Sequence, residues 1–272
     1  LQAVIEIRGE SCKEIANTDV DGFGLLPVEE RVIHMKSTKF YCSLVLIAFS
    51  SVVIFSGCRE VLPLEVNTPA PADCFTIKDG VLLEYEKSAR CPREVSIPDG
   101  VTEIGDYAFS EKQLIRVQIP ESVTRIGKHA FAGNQLTAVK IPDGVTEIEE
   151  WAFGDNRLGS ALIPRGVKRI GAWAFAVNNL ASVTLPQGVT QIDQEAFSLN
   201  LLSSVILPES VREIGDYAFS LNKIDSVVFS EGLNRIGTQA FLGNELTQVE
   251  IPRDCKVSSD SFDIGVRILR VL

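Results

Sequence analysis

A step of 22 residues governs this chain from Ile97 to about Pro252. Pro98, Pro120, Pro142, Pro164, Pro186 and Pro208 stand 22 residues apart; Ser230 interrupts the row and Pro252 resumes it. Phe keeps the same step from Phe109 to Phe241, and Ile keeps it from Ile104 to Ile236. Each Phe follows an Ala, from Ala108 to Ala240. The unit reads I-P-x-x-V-T-x-I-G-x-x-A-F-x-x-N-x-L-x-x-V-x. A fixed period of this size marks a solenoid. One unit is too short to bury its own apolar side, so stacked units must bury a continuous core between them.

Within each unit one segment alternates like a strand. In Leu136-x-x-Val139-x-Ile141, Val139 and Ile141 are expected to point inward. The segment recurs around Val117, Val183, Val205 and Val249, and its parallel copies are expected to form one long sheet. Pro ends each strand because it offers no N–H to a ladder. Val-x-x-Ile-Gly then carries the chain along the opposite face, and Ala-Phe fills the core with a small and a large side chain. The spacing has no insertion, so about seven coils of equal length are expected, plus caps.

The L-x-x-V-x-I-P…V-x-x-I-G-x-x-A-F unit resembles the leucine-rich repeat family, and more narrowly its Treponema-type, BspA-like subfamily, over about residues 75 to 262. The resemblance implies a leucine-rich-repeat solenoid with a parallel β-sheet on one face and a mostly irregular, short-strand convex face. The family's Cys or Asn slot is filled here by Asn134, Asn156, Asn178, Asn200, Asn222 and Asn244; the first coil departs from it with Lys112. A ligand-binding ladder is one reading of the Asn row. Buried amides that satisfy backbone groups at the turns are the better one.

The first third reads differently. Met35-Lys-Ser-Thr-Lys39 is basic, Phe40 to Phe55 is apolar with small polar interruptions, and Ser56-Gly57-Cys58 follows. That order is a secretory signal peptide over residues 35–57. With Cys58 at the cleavage point it resembles a bacterial lipoprotein signal, relaxed in that Phe55 stands where Leu is usual. The resemblance implies acylation of Cys58 and a lipid anchor in the membrane; stable anchoring takes more than one acyl chain. A transmembrane anchor is the alternative, because the apolar run approaches a span in length. Residues 1–34 are read as lying upstream of the true start, with translation from Met35. The alternative is a cytoplasmic extension before an uncleaved anchor.

Residues 58–73 carry Pro63, Pro69 and Pro71 without periodicity, which suits an extended tether. Residues 74–97 are expected as the N-terminal cap: Phe75-x-Ile77-x-x-Gly80-Val-Leu82 resembles the family's cap strand and hairpin. The solenoid proper is 98–251. The C-terminal cap is 252–272, with Phe262 replacing the Phe row one place early and Val266-Arg-Ile268 as a closing strand. Cys74 and Cys91 flank the first cap; in an exported protein a disulfide between them is expected, and two free thiols are the alternative. Cys255, far along the stack, should be unpaired and buried.

Charge and chemistry narrow the function. The chain carries a net −10; residues 1–57 hold five Lys/Arg against seven Asp/Glu, leaving twenty-one against twenty-nine, or −8, for the remainder. That argues against nucleic acid and against attraction to anionic lipid. Beyond Cys58 the one histidine is His129. No nucleophile–base pair, phosphate-cradling Gly loop or zinc spacing can be assembled, so no enzyme, no metal and no cofactor is expected.

Surfaces remain. The outward set on the strand segments is small and apolar at its centre: Ser160, Leu162, Ser182, Thr184, Ser204, Ile206, Ser226 and Val228. Across the middle five coils this set holds one charge, Lys140. An apolar centre with a polar rim is how protein interfaces are built, although β-propensity alone also selects such residues. A second row precedes each Ala-Phe: Tyr107, His129, Trp151, Trp173, Glu195, Tyr217 and Gln239. Rings partly buried between adjacent coils are the plainer reading of that row. A binding stripe formed by Tyr107, Trp151 and Trp173 is the other.

Together these features describe a lipid-anchored, exported repeat protein in the bacterial envelope, on the outer surface or in the periplasm, that binds protein through its sheet face. The family resemblance implies adhesion to host extracellular matrix or to other cells. The competing reading is a structural scaffold of the envelope. The sequence leaves the oligomeric state open.

Overall fold

In the computed structural model the described residues are 70–271, together with the backbone of two strands nearer the N-terminus. Those are β1 (Val32–Ser37) and β2 (Phe40–Val45), which pair antiparallel. The chain divides into two units, Leu1–Glu65 and Val66–Leu272, and the second contains the repeats. Apart from that hairpin backbone, the expected signal peptide, Cys58 and most of the tether lie outside the described residues. Among the described residues no helix is long and apolar enough to cross a membrane.

The second unit is a parallel-strand solenoid of about nine turns with coils of about 22 residues. It opens with an antiparallel hairpin of β3 (Phe75–Lys78) and β4 (Val81–Tyr85). Asp79 and Gly80, both at positive φ, make its turn, as a two-residue hairpin requires. Cys74 and Cys91 are bonded, with Cα atoms 5.7 Å apart, and tie the start of this cap to the chain leading into the first coil.

Most coils then contribute two short strands. The three-residue strands of the expected sheet are β5 (Glu94–Ser96), β7 (Arg116–Gln118), β10 (Ser160–Leu162), β12 (Ser182–Thr184), β14 (Ser204–Ile206) and β16 (Ser226–Val228). They end with β18 (Gln248–Pro252), followed in the C-terminal cap by β20 (Arg267–Val271). Pro at the end of the strand accepts from the N–H three residues on, as in Val123 N–H to Pro120 O at 3.1 Å. Ser230 makes the same turn where Pro is missing. Two-residue strands lie on the other side of that turn: β6 (Glu103–Ile104), β8 (Arg125–Ile126), β9 (Glu147–Ile148), β11 (Arg169–Ile170), β13 (Gln191–Ile192), β15 (Glu213–Ile214), β17 (Arg235–Ile236) and β19 (Lys256–Val257).

One expectation needs correction here. The three-residue strands do not form one long sheet; they pair as β5–β7, β10–β12, β14–β16 and β18–β20, and residues 138–140 form no strand. The longer ladders belong to the two-residue strands, six in a row from β9 to β19 and, with the hairpin, four from β3 to β8. Most of these segments run into a Pro that offers no N–H to a ladder, which leaves a three-residue strand few bonds with which to hold both neighbours. The Phe rings stack from coil to coil with centroids 5.0 to 5.5 Å apart.

Three continuous columns hold the stack instead. The first is aromatic: Tyr85 begins it, Phe109 to Phe241 continue it, and Phe262 ends it. Tyr85 is buried, its hydroxyl donates to the Pro92 carbonyl at 2.7 Å, and burial pushes its pKa up to about 12. The second is the Asn row. The Asn178 Oδ1 accepts from Leu158 N–H at 3.0 Å, and its Nδ2 lies 3.0 Å from the Phe153 carbonyl and 3.2 Å from that of Phe175. Asn134, Asn156, Asn200 and Asn222 repeat the arrangement, all buried. The third is backbone: at each Ala-Phe turn three N–H groups donate to the next coil. Trp173, Phe175 and Val177, for example, donate to Gln194, Ala196 and Ser198 at 3.0, 2.9 and 3.1 Å. The residues either side of each Phe are left-handed to allow this, with Trp173 at φ 60° and Val177 at φ 55°.

Candidate functional site

The outward row of the three-residue strands is exposed along its whole centre. Leu162 is 70% exposed, Ile206 72% and Val228 56%. They alternate with core residues because a strand presents successive side chains to opposite faces: Ala161 and Val205 between them are buried. Pairing sets the neighbours. Ser160 lies opposite Ser182 and Leu162 opposite Thr184; Ser204 lies opposite Ser226 and Ile206 opposite Val228. The eight residues therefore fall into two groups of four on adjacent strand pairs, with a break in the ladder between β12 and β14. Toward the N-terminal end the face becomes charged, with Arg116 paired to Glu94 at 3.3 Å and Lys140 to Glu121 at 2.6 Å. The hydrogen bond and charge of Lys140 hold the Glu121 carboxyl below the usual carboxylate range.

The row before each Ala-Phe is also brought together. Tyr107 stacks on His129 at 4.6 Å, His129 on Trp151 at 5.8 Å, and Trp151 on Trp173 at 5.0 Å, with planes within 11° of parallel. The ring faces are used up against one another. His129, Trp151 and Trp173 are half-buried, and only Tyr107 at the end of the column is well exposed. Burial of the rings between coils, the plainer of the two expectations, describes this column. After Trp173 the row passes to Glu195, whose carboxyl burial pushes up.

Sequence reasoning missed two sets of residues. Val177, Leu199 and Leu221 form an exposed apolar row in three adjacent coils, each at positive φ. Their step of 22 was visible; their exposure was not, because the position just before the buried Asn gives no periodic signal. The second set is the charge pattern of the two-residue strands. Glu103 pairs with Arg125 in one ladder and Glu147 with Arg169 in the other, so the sign alternates from coil to coil. Arg125 is ion-paired to Glu103 and lies 3.4 Å from Asp106; Arg235 lies 3.1 Å from Asp216. Every buried side-chain nitrogen and oxygen among the described residues has a hydrogen-bond partner. Cys255 is unpaired and buried, and burial pushes its thiol pKa up.

A family model described as the BspA type leucine-rich repeat region matches residues 87–198 and 152–264, with six copies. No curated protein matches the chain. A leucine-rich repeat protein from Bacteroides ovatus superposes with a TM-score of 0.62 at 24% identity, covering 92% of this chain and 68% of its own. A leucine-rich cell surface protein from Faecalibacterium prausnitzii superposes with a TM-score of 0.43 at 19% identity, covering 89% of this chain and 77% of its own. A leucine-rich repeat protein from Eubacterium ventriosum gives 0.44 at 16% identity, with 85% and 70% covered. The family match spans well over half of the sequence: the chain belongs to the BspA-type leucine-rich repeat family.

Proposed function

We propose that this protein is exported, anchored by lipid at Cys58, and binds other proteins through the exposed strand face of its repeats. The observation that carries the reading is the exposure of Leu162, opposite Thr184, and of Ile206 and Val228, opposite each other, in a row otherwise of Ser and Thr. Burying a side chain of this size gains about 1.5–3 kcal/mol, and here that gain is left to a partner. Small neighbours leave the three residues standing above a smooth surface, as anchors at the centre of an interface do.

Export is supported by the basic–apolar run ending at Cys58 and by the Cys74–Cys91 bond, which is at home in an oxidising compartment. Adhesion to host matrix or to other cells is the role that the family resemblance favours. The reading is of a binding protein and not an enzyme: His129 is held inside a ring stack, and the acids of the two-residue ladder face bases at neighbouring positions.

The test combines Leu162→Asp with Ile206→Asp. Both sites are on the surface, so the unfolding midpoint should stay within about 0.5 kcal/mol of wild type, while binding to matrix proteins or to cells falls at least about tenfold. Unchanged binding with an intact fold would sink the proposed face. Protease treatment of intact cells, with permeabilised cells as control, tests location: digestion of the repeats on intact cells supports the adhesive role, and protection overturns it. Cys58→Ala should move the protein out of the membrane fraction.

A further inference from the structure

The last break in the strand ladder opens a cleft. β16 and β18 are neighbours in the stack, yet no ladder joins them, and a space of about 610 Å³ lies between them. Its floor is core that the break has uncovered. Val227 and Phe229 are half-buried, whereas their counterparts one coil earlier, Val205 and Leu207, are fully buried. Phe229 is also the one aromatic residue in a row otherwise made of Ile and Leu, and it comes just before the position where Ser230 interrupts the Pro row. Its ring stands edge-on to Phe241 and Phe262, at 5.6 and 6.4 Å, which leaves it outside the parallel Phe column.

The rim is predominantly acidic. Asp225, Glu231, Glu250 and Asp254 line the cleft against a single base, Arg253. All four acids are exposed, and among the described residues none of the four is in an ion pair, in contrast to Glu103, Asp106, Asp193 and Asp216. Val228 belongs both to the cleft wall and to the apolar centre of the strand face, so the two surfaces are continuous.

We propose that this cleft receives an arginine- or lysine-bearing extended segment of the protein partner. The inference rests on the strand-face reading above and adds the chemistry of the ligand. A long basic side chain is apolar along its stem and charged at its tip. Laid across Val227 and Phe229, the stem covers the uncovered core, while the charged head reaches the carboxylates on the rim. Apolar residues on either side of the basic one continue over Val228 onto the strand face. An acidic segment would meet the same four carboxylates and be repelled, so the rim also selects against the wrong partner.

The experiment uses the repeat protein and three fluorescent probe peptides of equal length: one alternating Arg and Val, one with each Arg replaced by Glu, and one with each Val replaced by Gly. Fluorescence anisotropy is read against wild type, Glu231→Lys/Asp254→Lys and Leu162→Asp. The Arg/Val peptide should bind best, and the charge-reversed protein should bind it about tenfold more weakly with an unchanged unfolding midpoint. Its amide signals should shift at Val227, Phe229 and Val249. Leu162→Asp should leave this peptide's affinity within about twofold, because Leu162 lies three coils from Val228 at the cleft wall. Equal binding of the Glu/Val peptide, equal binding of the Arg/Gly peptide, or indifference to the charge reversal would each overturn the cleft proposal. Loss of partner binding in the Leu162→Asp/Ile206→Asp protein would stand independently of any of these.

Discussion

Asn178 shows how much one side chain does in a stack of this kind. Its amide accepts from one coil and donates to carbonyls of two, so removing it strands a buried N–H and buried carbonyls together. A buried polar group without a partner costs about 1–3 kcal/mol. Asn178→Ala is therefore expected to lower stability by about 2–4 kcal/mol in urea unfolding; a loss under about 1 kcal/mol would mean that water replaces the amide. Val177, next to it, carries the opposite burden. It is a β-branched residue at φ 55°, a region that such residues avoid; in other coils this position holds Glu111, Gly133, Asp155, Leu199, Leu221 or Gly243, none of them β-branched. Val177→Asn should gain about 1 kcal/mol, keeping the N–H bond to Ser198. The same denaturation series reads it, and a loss would show that the exposed isopropyl group is held by contacts worth more than the strain.

The cap hairpin and the first coil are joined by covalent chemistry as well as by packing. The Cys74–Cys91 bond closes a separation of 17 residues, for which chain entropy gives about 3 kcal/mol. Because a repeat stack is held by nearest-neighbour contacts, its reduction should be felt locally. Hydrogen exchange in dithiothreitol should rise first at Leu82 and Val95 while Phe197 and Ile214 keep their protection; uniform acceleration along the stack would contradict this. At this scale the sequence was legible where a row repeats. The Phe, Ile, Pro and Asn rows each recur at 22 because each sits at one height in every coil, and the Asn and Phe rows point to two of the three columns. The pairing of the strands was not legible. Ser160-Ala161-Leu162 and Ser204-Val205-Ile206 carry the same alternation whether or not a ladder forms on both sides. The alternating charges of β6, β8, β9 and β11 were hidden for another reason: a two-residue strand has no alternation to read. Tyr85 as head of the Phe column was missed because it stands 24 residues before Phe109, out of step with the rest.

For the repeat unit as a whole, continuity on one side and interruption on the other have a functional consequence. The Ala-Phe turns, the Asn amides and the rings hold every coil to the next without a gap, so the strand face is free to vary without loss of the stack. Its apolar outward residues and its open cleft are features that the scaffold tolerates and does not need. The exposure of Leu162, Ile206 and Val228 could be anticipated from alternation alone; the cleft could not, since it arises from the absence of a ladder. The most direct measurement places a photo-crosslinking residue at Ile206 on the strand face and, separately, at Glu213 on the two-residue ladder, in the full chain on intact cells. The account predicts adducts with a protein partner from position 206, lost when Leu162→Asp is added, and none from position 213. Equal labelling from both positions, or labelling from 213 alone, would contradict the claim that the strand face is where this protein binds.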